Sequence, residues 1–170
     1  RKYEEVVLMT ASLARLLRQS ISNEDEVVPL AREVEYAKGY LTIQKMRYKD
    51  KLEFEIDVEP SILNIPLIKL VLQPIIENAI YHGLKYKESK GLLQVKGFMK
   101  GGNAVLQVID NGVGMDEETL SHIYDKHKVN YHSNGVGVYN VQKRLKLYYG
   151  KNYGITYESE KGVGTTATIT

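Results

Sequence analysis

Leu72-Gln73-Pro74-Ile75-Ile76-Glu77-Asn78-Ala79-Ile80-Tyr81-His82-Gly83 is an apolar run with a short polar patch set into it. The segment from Leu67 to about Leu84 is apolar enough for a buried helix, and Pro74 is expected to kink or break it. Asn78 and His82 stand four residues apart and so share a helix face, with Tyr81 beside them. A neutral amide oxygen such as that of Asn78 can complete the shell of a Mg²⁺ ion whose other ligands are phosphate oxygens and water, because this ion takes hard oxygen donors. The plainer reading is a polar residue on a buried helix. Glu77 and His82 are candidates for proton handling or phosphate contact from the same helix, set against a surface carboxylate and a satisfied histidine.

Downstream of this run the pattern is that of strands. Leu92–Met99 and Ala104–Ile109 read as a hairpin around Gly101, Gly102 and Asn103. A short helix is expected over Glu117–Tyr124 and a longer one over Gly135–Tyr149, before two strands, Gly154–Ser159 and Thr165–Thr170, around the turn at 161–164. Upstream, Lys51, Glu53, Glu55 and Asp57 alternate with Leu52, Phe54, Ile56 and Val58, the period of a strand with one wet face, and Pro60–Pro66 links it to the apolar run. Leu30, Val34, Ala37, Leu41 and Met46 mark a helix over Leu30–Tyr48 with Pro29 at its entrance, and Val6, Val7, Met9, Leu13, Leu16 and Leu17 mark another over Tyr3–Arg18. The polar turn Ser20–Glu26 joins these two into a helical hairpin. The sum is a two-layer α/β sandwich with a mixed sheet, preceded by that hairpin, and the division falls at residues 1–49 and 50–170.

Composition narrows the function classes. With 170 residues, 43% hydrophobic and 26% charged, the chain is large enough for one well-buried core. Its 23 basic and 21 acidic residues are mixed without a block of like charge, so nucleic acid is not the expected partner. Zero cysteines exclude a disulfide framework and a thiolate metal site, and four scattered histidines leave little for a structural zinc. No stretch approaches the roughly 18 apolar residues of a membrane span, and Arg1–Glu5 does not read as a signal peptide. The sequence reads as a segment of a longer protein.

Three glycine-bearing motifs follow the asparagine run. Asp110-Asn111-Gly112-Val113-Gly114 comes straight after a strand. A carboxylate there can accept the exocyclic amino group of adenine while neighbouring glycines let the backbone approach a flat base; an ordinary Asn-Gly turn is the alternative. The acidic ligands of a calcium loop are missing after Asp110. Gly135-Val136-Gly137-Val138-Tyr139-Asn140 opens a helix, where free N–H groups and the helix dipole favour phosphate. A dinucleotide fingerprint fails, since Asn140 takes the third glycine position and no strand precedes, and no Gly-x-x-x-x-Gly-Lys-Ser/Thr occurs. Gly162-Val163-Gly164-Thr165-Thr166 enters the last strand, where a hairpin turn is the plain reading.

In this order, the four motifs resemble the nucleotide-binding boxes of the Bergerat-fold superfamily of gyrase, chaperone and histidine kinase ATPases. Leu72–Gly83, Tyr40–Tyr48 and Gly137–Leu145 together look like the LytS/YesM-type sensor histidine kinases, over nearly the whole chain. The resemblance implies an ATP-binding domain that transfers the γ-phosphoryl of ATP to a histidine upstream. Residues 1–49 would be the remainder of the dimerisation and phosphoacceptor region. None of His82, His122, His127 and His132 lies in the family's Pro-His-Phe-Leu-x-Asn acceptor motif. A response regulator, a homodimer and a place on the cytoplasmic side of a bacterial inner membrane are implied as well.

Carried over by position, Asn78 would hold Mg²⁺, Asp110 the adenine amino group and Thr165 a bridging water. Gly112, Gly114, Gly135 and Gly137 would shape the pocket and receive phosphates, with Val138 among the nucleotide-binding positions. Met115–Asn134 would form a lid, with Lys126, His127, Lys128 and His132 within reach of phosphate or simply solvated. Two departures matter. Tyr81 stands where family members often carry lysine, which opens the alternative of a catalytically weak regulatory or dimerisation module. Pro74 stands where ATP-hydrolysing members of the superfamily carry a glutamate, which favours transfer over hydrolysis.

Overall fold

Alternation of apolar and polar side chains gives each strand one face that must be covered, and here the helices cover a single face of one sheet. The computed structural model describes residues 26–123 and 135–170. In chain order these form β1 (Val27–Pro29), α1 (Leu30–Tyr48), β2 (Leu52–Val58), β3 (Pro66–Ile68), α2 (Leu72–Asn78), a π-helical stretch Ala79–Leu84, β4 (Gly91–Lys100), β5 (Asn103–Asp110), α3 (Glu117–Ser121), α4 (Gly135–Tyr149), β6 (Ile155–Glu160) and β7 (Gly164–Ile169). The expected helix Tyr3–Arg18, the hairpin it would complete and most of the turn after it lie outside the described residues.

The main sheet has the order β2-β4-β5-β7-β6. Only β2 and β4 run parallel; the other neighbours are antiparallel, so the sheet is mixed. Leu93, Val95, Leu106, Val108, Ala167 and Ile169 face inward and meet Leu72, Ile75 and Ile76 of α2 and Val138, Val141 and Leu145 of α4 in one core. Helix α1 belongs to that core through Leu30, Ala37, Tyr40 and Leu41. Its buried stripe also includes Glu33 and Gln44, whereas the anticipated Val34 and Met46 are only partly buried.

The apolar run divides differently from its sequence reading. Leu67 and Ile68 are not helical: they sit in β3, paired antiparallel with β1 in a small second sheet. An apolar run of this length is compatible with strand or helix, and the partner that decides, Val27–Pro29, is distant in sequence. Helix α2 therefore begins at Leu72, which puts Pro74 in its first turn, where a missing N–H costs no intrahelical bond. The break expected at Pro74 falls just ahead of it, between Ile68 and Leu72. The helix changes winding after Asn78, where Lys85 N–H donates to the Ile80 carbonyl over a five-residue step at 2.8 Å. The short helix after the Asp110 motif ends at Ser121, earlier than expected.

Candidate functional site

In β5 the inward-facing series Leu106, Val108 ends in Asp110. A carboxylate thus occupies a position that the alternation assigns to the core, and it is only 6% exposed. Register places it beside Leu93 of β4 and Thr165 of β7. Its Oδ1 accepts the Gly112 N–H at 2.8 Å. Burial pushes the carboxyl up to about 6, against the N–H groups of Gly112 and Thr165 and the charge of Lys87, all of which favour the ionised form. The remaining acceptor capacity is suited to a donor arriving from the pocket.

The glycines around Asp110 are demanded mainly by the protein itself. A Cβ on Gly83 would lie 2.7 Å from Asp110 Oδ1, one on Gly112 2.4 Å from the Gly83 carbonyl carbon, one on Gly114 1.9 Å from the Glu160 carbonyl oxygen, and one on Gly164 2.0 Å from the Asp110 carbonyl oxygen. Close approach of a base was the reason anticipated for Gly112 and Gly114; the contacts their missing Cβ atoms avoid are instead with backbone and with Asp110. The same packing ties three motifs together. Val113 N–H donates to the Gly83 carbonyl at 3.1 Å, and Gly162 N–H to the Val113 carbonyl at 2.7 Å. Ser159 Oγ accepts the Met115 N–H at 2.9 Å, donates to the Gly164 carbonyl and lies 2.9 Å from Thr165 Oγ1.

Five of the anticipated residues, Asn78, His82, Asp110, Gly114 and Thr165, line one small pocket between this sheet wall and α2 with its π-helical extension. His82 and Gly83, both in the π-helical stretch, line it with Asn78 and Ala79. His82 is exposed; desolvation of its ring, then the charge of Lys85, holds it below the ordinary imidazole value, so it brings no full positive charge at neutral pH. Glu77 lies off this wall and accepts the Gln73 side-chain amide at 3.0 Å. Val138 is 1% exposed in the core, so only its backbone can serve a ligand. Gly137 packs on the first turn of α2, where a Cβ would lie 3.3 Å from Pro74 Cβ, and Gly135 begins α4. Lys126, His127, Lys128 and His132 lie outside the described residues.

Three residues were missed. Gly83, at the end of the quoted run, makes room for the Asp110 carboxylate. Tyr40 of α1 lies beside Tyr81, and burial, then the charges of Glu77 and Tyr81, push its hydroxyl above the ordinary tyrosine value. Glu33, 2% exposed on α1, accepts the N–H groups of Leu70 at 2.7 Å, Val71 at 2.9 Å and Leu72 at 3.1 Å, which caps α2 from another helix. The only hint was a glutamate on the buried stripe of α1. Among the described residues no group of three or more His, Cys, Asp or Glu converges to hold a metal ion. A larger apolar groove, with Leu30, Leu67, Leu145 and Tyr149 in its walls, contains no residue of the four nucleotide-binding motifs.

A buried acceptor beside a strand end, an amide across the pocket and a glycine-rich helix entrance suit a nucleotide, and the family model for histidine kinase-, DNA gyrase B- and HSP90-like ATPases matches residues 64–170. The chain belongs to this ATPase family. A histidine kinase model matches residues 1–52. This ATPase-family chain is 30% identical to the sensor histidine kinase YesM of Bacillus subtilis over 98% of its length and 32% identical to the sensor protein LytS of Oceanobacillus iheyensis over 82%, so its curated relatives are of the kind its motifs resemble. It spans only 28% and 24% of their lengths. The fold is that of solved histidine kinase domains. The catalytic domain of the kinase ThkA matches with a TM-score of 0.63 at 12% identity, covering 85% of this chain and 96% of that one. The histidine kinase domain from Erythrobacter litoralis EL346 matches with 0.60 at 16% identity, covering 97% and 73%.

Proposed function

We propose that the chain binds Mg-ATP and serves as the catalytic part of a sensor histidine kinase, passing the γ-phosphoryl group to an imidazole nitrogen of a histidine upstream of Arg1 and leaving ADP. The observation that carries this reading is the buried Asp110 carboxylate facing Asn78 across one pocket. Asp110 would accept the adenine amino group, with Thr165 sharing a water. The N–H groups at the Gly135–Gly137 helix entrance would receive phosphate oxygens. With no acidic cage among the described residues, Mg²⁺ would be held by phosphate oxygens and the Asn78 amide oxygen, where it would neutralise charge on the phosphates. Residues 1–49 would belong to the dimerisation and phosphoacceptor region, and the intact protein would be a membrane-anchored homodimer that passes its phosphoryl group to a response regulator.

A second reading, a nucleotide-binding regulatory module with weak catalysis, draws on Tyr81: it lies beside Tyr40, and no lysine occupies its position. Incubation with radioactive ATP distinguishes them. The chain alone should stay unlabelled, because its histidines lie outside an acceptor motif. Addition of an upstream helix fragment carrying the acceptor should give an acid-labile phosphohistidine on that fragment. Tight ATP binding with no labelling of the fragment would favour the regulatory module.

A further inference from the structure

Glu33 is the buried carboxylate for which nucleotide chemistry has no use. Its two oxygens take three successive N–H groups, those of Leu70, Val71 and Leu72. Leu70 adopts φ 61°, a left-handed conformation uncommon for a leucine, and Val71 is right-handed. That pairing is the geometry of a backbone nest, whose N–H groups converge on an anion. Here the anion is supplied by α1. The same turn is gripped from a third element, since Arg144 of α4 donates to the Lys69 carbonyl at 2.9 Å and Tyr149 accepts the Ile68 N–H at 3.0 Å.

We propose that Glu33 is a positioning residue for Asn78: seated in the Leu70–Leu72 nest, it fixes the placement of α2 and ties it to that of α1. The proposal rests on the reading of Asn78 as the magnesium-side residue. Six residues, or about 9 Å of helix, separate Leu72 from Asn78, so the capped end sets where the amide oxygen falls. Mg²⁺ demands near-ideal octahedral geometry at about 2.0–2.1 Å, and a displacement of α2 by a fraction of an ångström forfeits that contact. Asp110, anchored by sheet register, is left unmoved. Loss of Glu33 therefore separates the two ends of the nucleotide.

The test is calorimetric titration of the chain with ADP, with and without Mg²⁺, for wild type, Glu33→Gln, Asn78→Ala and Ala37→Gly. Glutamine keeps the shape but loses the charge and one acceptor. Glu33→Gln should retain metal-free ADP affinity and lose about tenfold of the affinity gained from magnesium, the scale of one charge-assisted hydrogen bond. Ala37→Gly weakens α1 without touching the nest and should keep the magnesium effect. A Glu33→Gln chain with the full magnesium effect overturns the proposal, as does its loss in Ala37→Gly, which would make the effect one of general stability. If Asn78→Ala keeps the magnesium effect, the reading of Asn78 itself fails, an outcome separable from the first. Should Glu33→Gln not fold, Glu33→Gln/Leu70→Gly replaces it under the same criteria, because glycine accepts the positive φ without strain.

Discussion

Asp110 and Asn78 face the same pocket but are held by different means. Asp110 lies on β5, the central strand of a five-stranded sheet, between β4 and β7, and the glycines around it pack so closely that a Cβ on Gly83, Gly112 or Gly164 would come within 3 Å of it. Asn78 ends a seven-residue α-helix whose first turn is capped by a glutamate from another helix and whose continuation changes to π winding. The sheet wall has no freedom to move without breaking ladder hydrogen bonds. The helix wall moves as far as its neighbours α1 and α4 allow. On the proposed reading, the base would be held by the sheet, while the phosphate end would depend on how the helices sit.

The largest expected effect breaks the sheet wall. Gly164→Ala places a Cβ 2.0 Å from the Asp110 carbonyl oxygen at φ 145°, a clash with backbone that no side-chain rotation relieves. A loss of about 3 kcal/mol or more is expected in urea unfolding, with nucleotide binding lost in parallel. An alanine variant of wild-type stability would mean that this wall is far softer than its contacts imply.

A pH series sharpens the comparison. The Asp110 carboxyl is raised from 3.8 to about 6, so the folded state prefers its protonated form. Its stabilising contribution is full below about pH 4 and disappears as pH rises through 6, a change on the order of 2–3 kcal/mol. Urea midpoints of the nucleotide-free chain should contain this falling limb between pH 4 and 6, and Asp110→Asn, permanently neutral, should lack it. ADP affinity should run the other way and rise across the same window, because the ionised carboxylate is the stronger acceptor. Stability is lost where function is gained.

The smallest effect belongs to the helix wall. Gly137→Ala brings a Cβ to 3.3 Å from the ring of Pro74, a contact that a few tenths of an ångström of helix movement relieves. Alanine also favours the helix, by roughly 1 kcal/mol. The melting temperature should stay level or rise slightly. A large loss would show that the α2–α4 contact is as rigid as the sheet.

The two walls also differed in how far they could be read from sequence. Asp110 was legible as a carboxylate at the end of a strand, though the strand runs one residue further than expected and includes it, and the boundaries of α1 and α4 followed from Pro29, the spacing of Leu30, Ala37 and Leu41, and the glycines at 135 and 137. These signals are local. The β3 strand, the start of α2 at Leu72 and the Glu33 cap depend on partners 37 to 41 residues away, such as Glu33 with Leu70 and Val27 with Ile68. Gly83 carried no local signal because its reason, the space taken by Asp110, lies on another element. The π winding after Asn78 has no residue-type signature in the run.

On the proposed function, Asp110 holds the nucleotide's base. Calorimetry of Mg-ATP on wild type and Asp110→Asn at pH 7.5 tests it most directly, with the urea midpoint of each measured alongside. Micromolar to millimolar binding to wild type is expected, with a loss of about 1–3 kcal/mol in Asp110→Asn without a drop in stability, because the amide leaves the adenine donor poorly paired. Unchanged affinity in a folded Asp110→Asn chain would contradict it and place the base elsewhere.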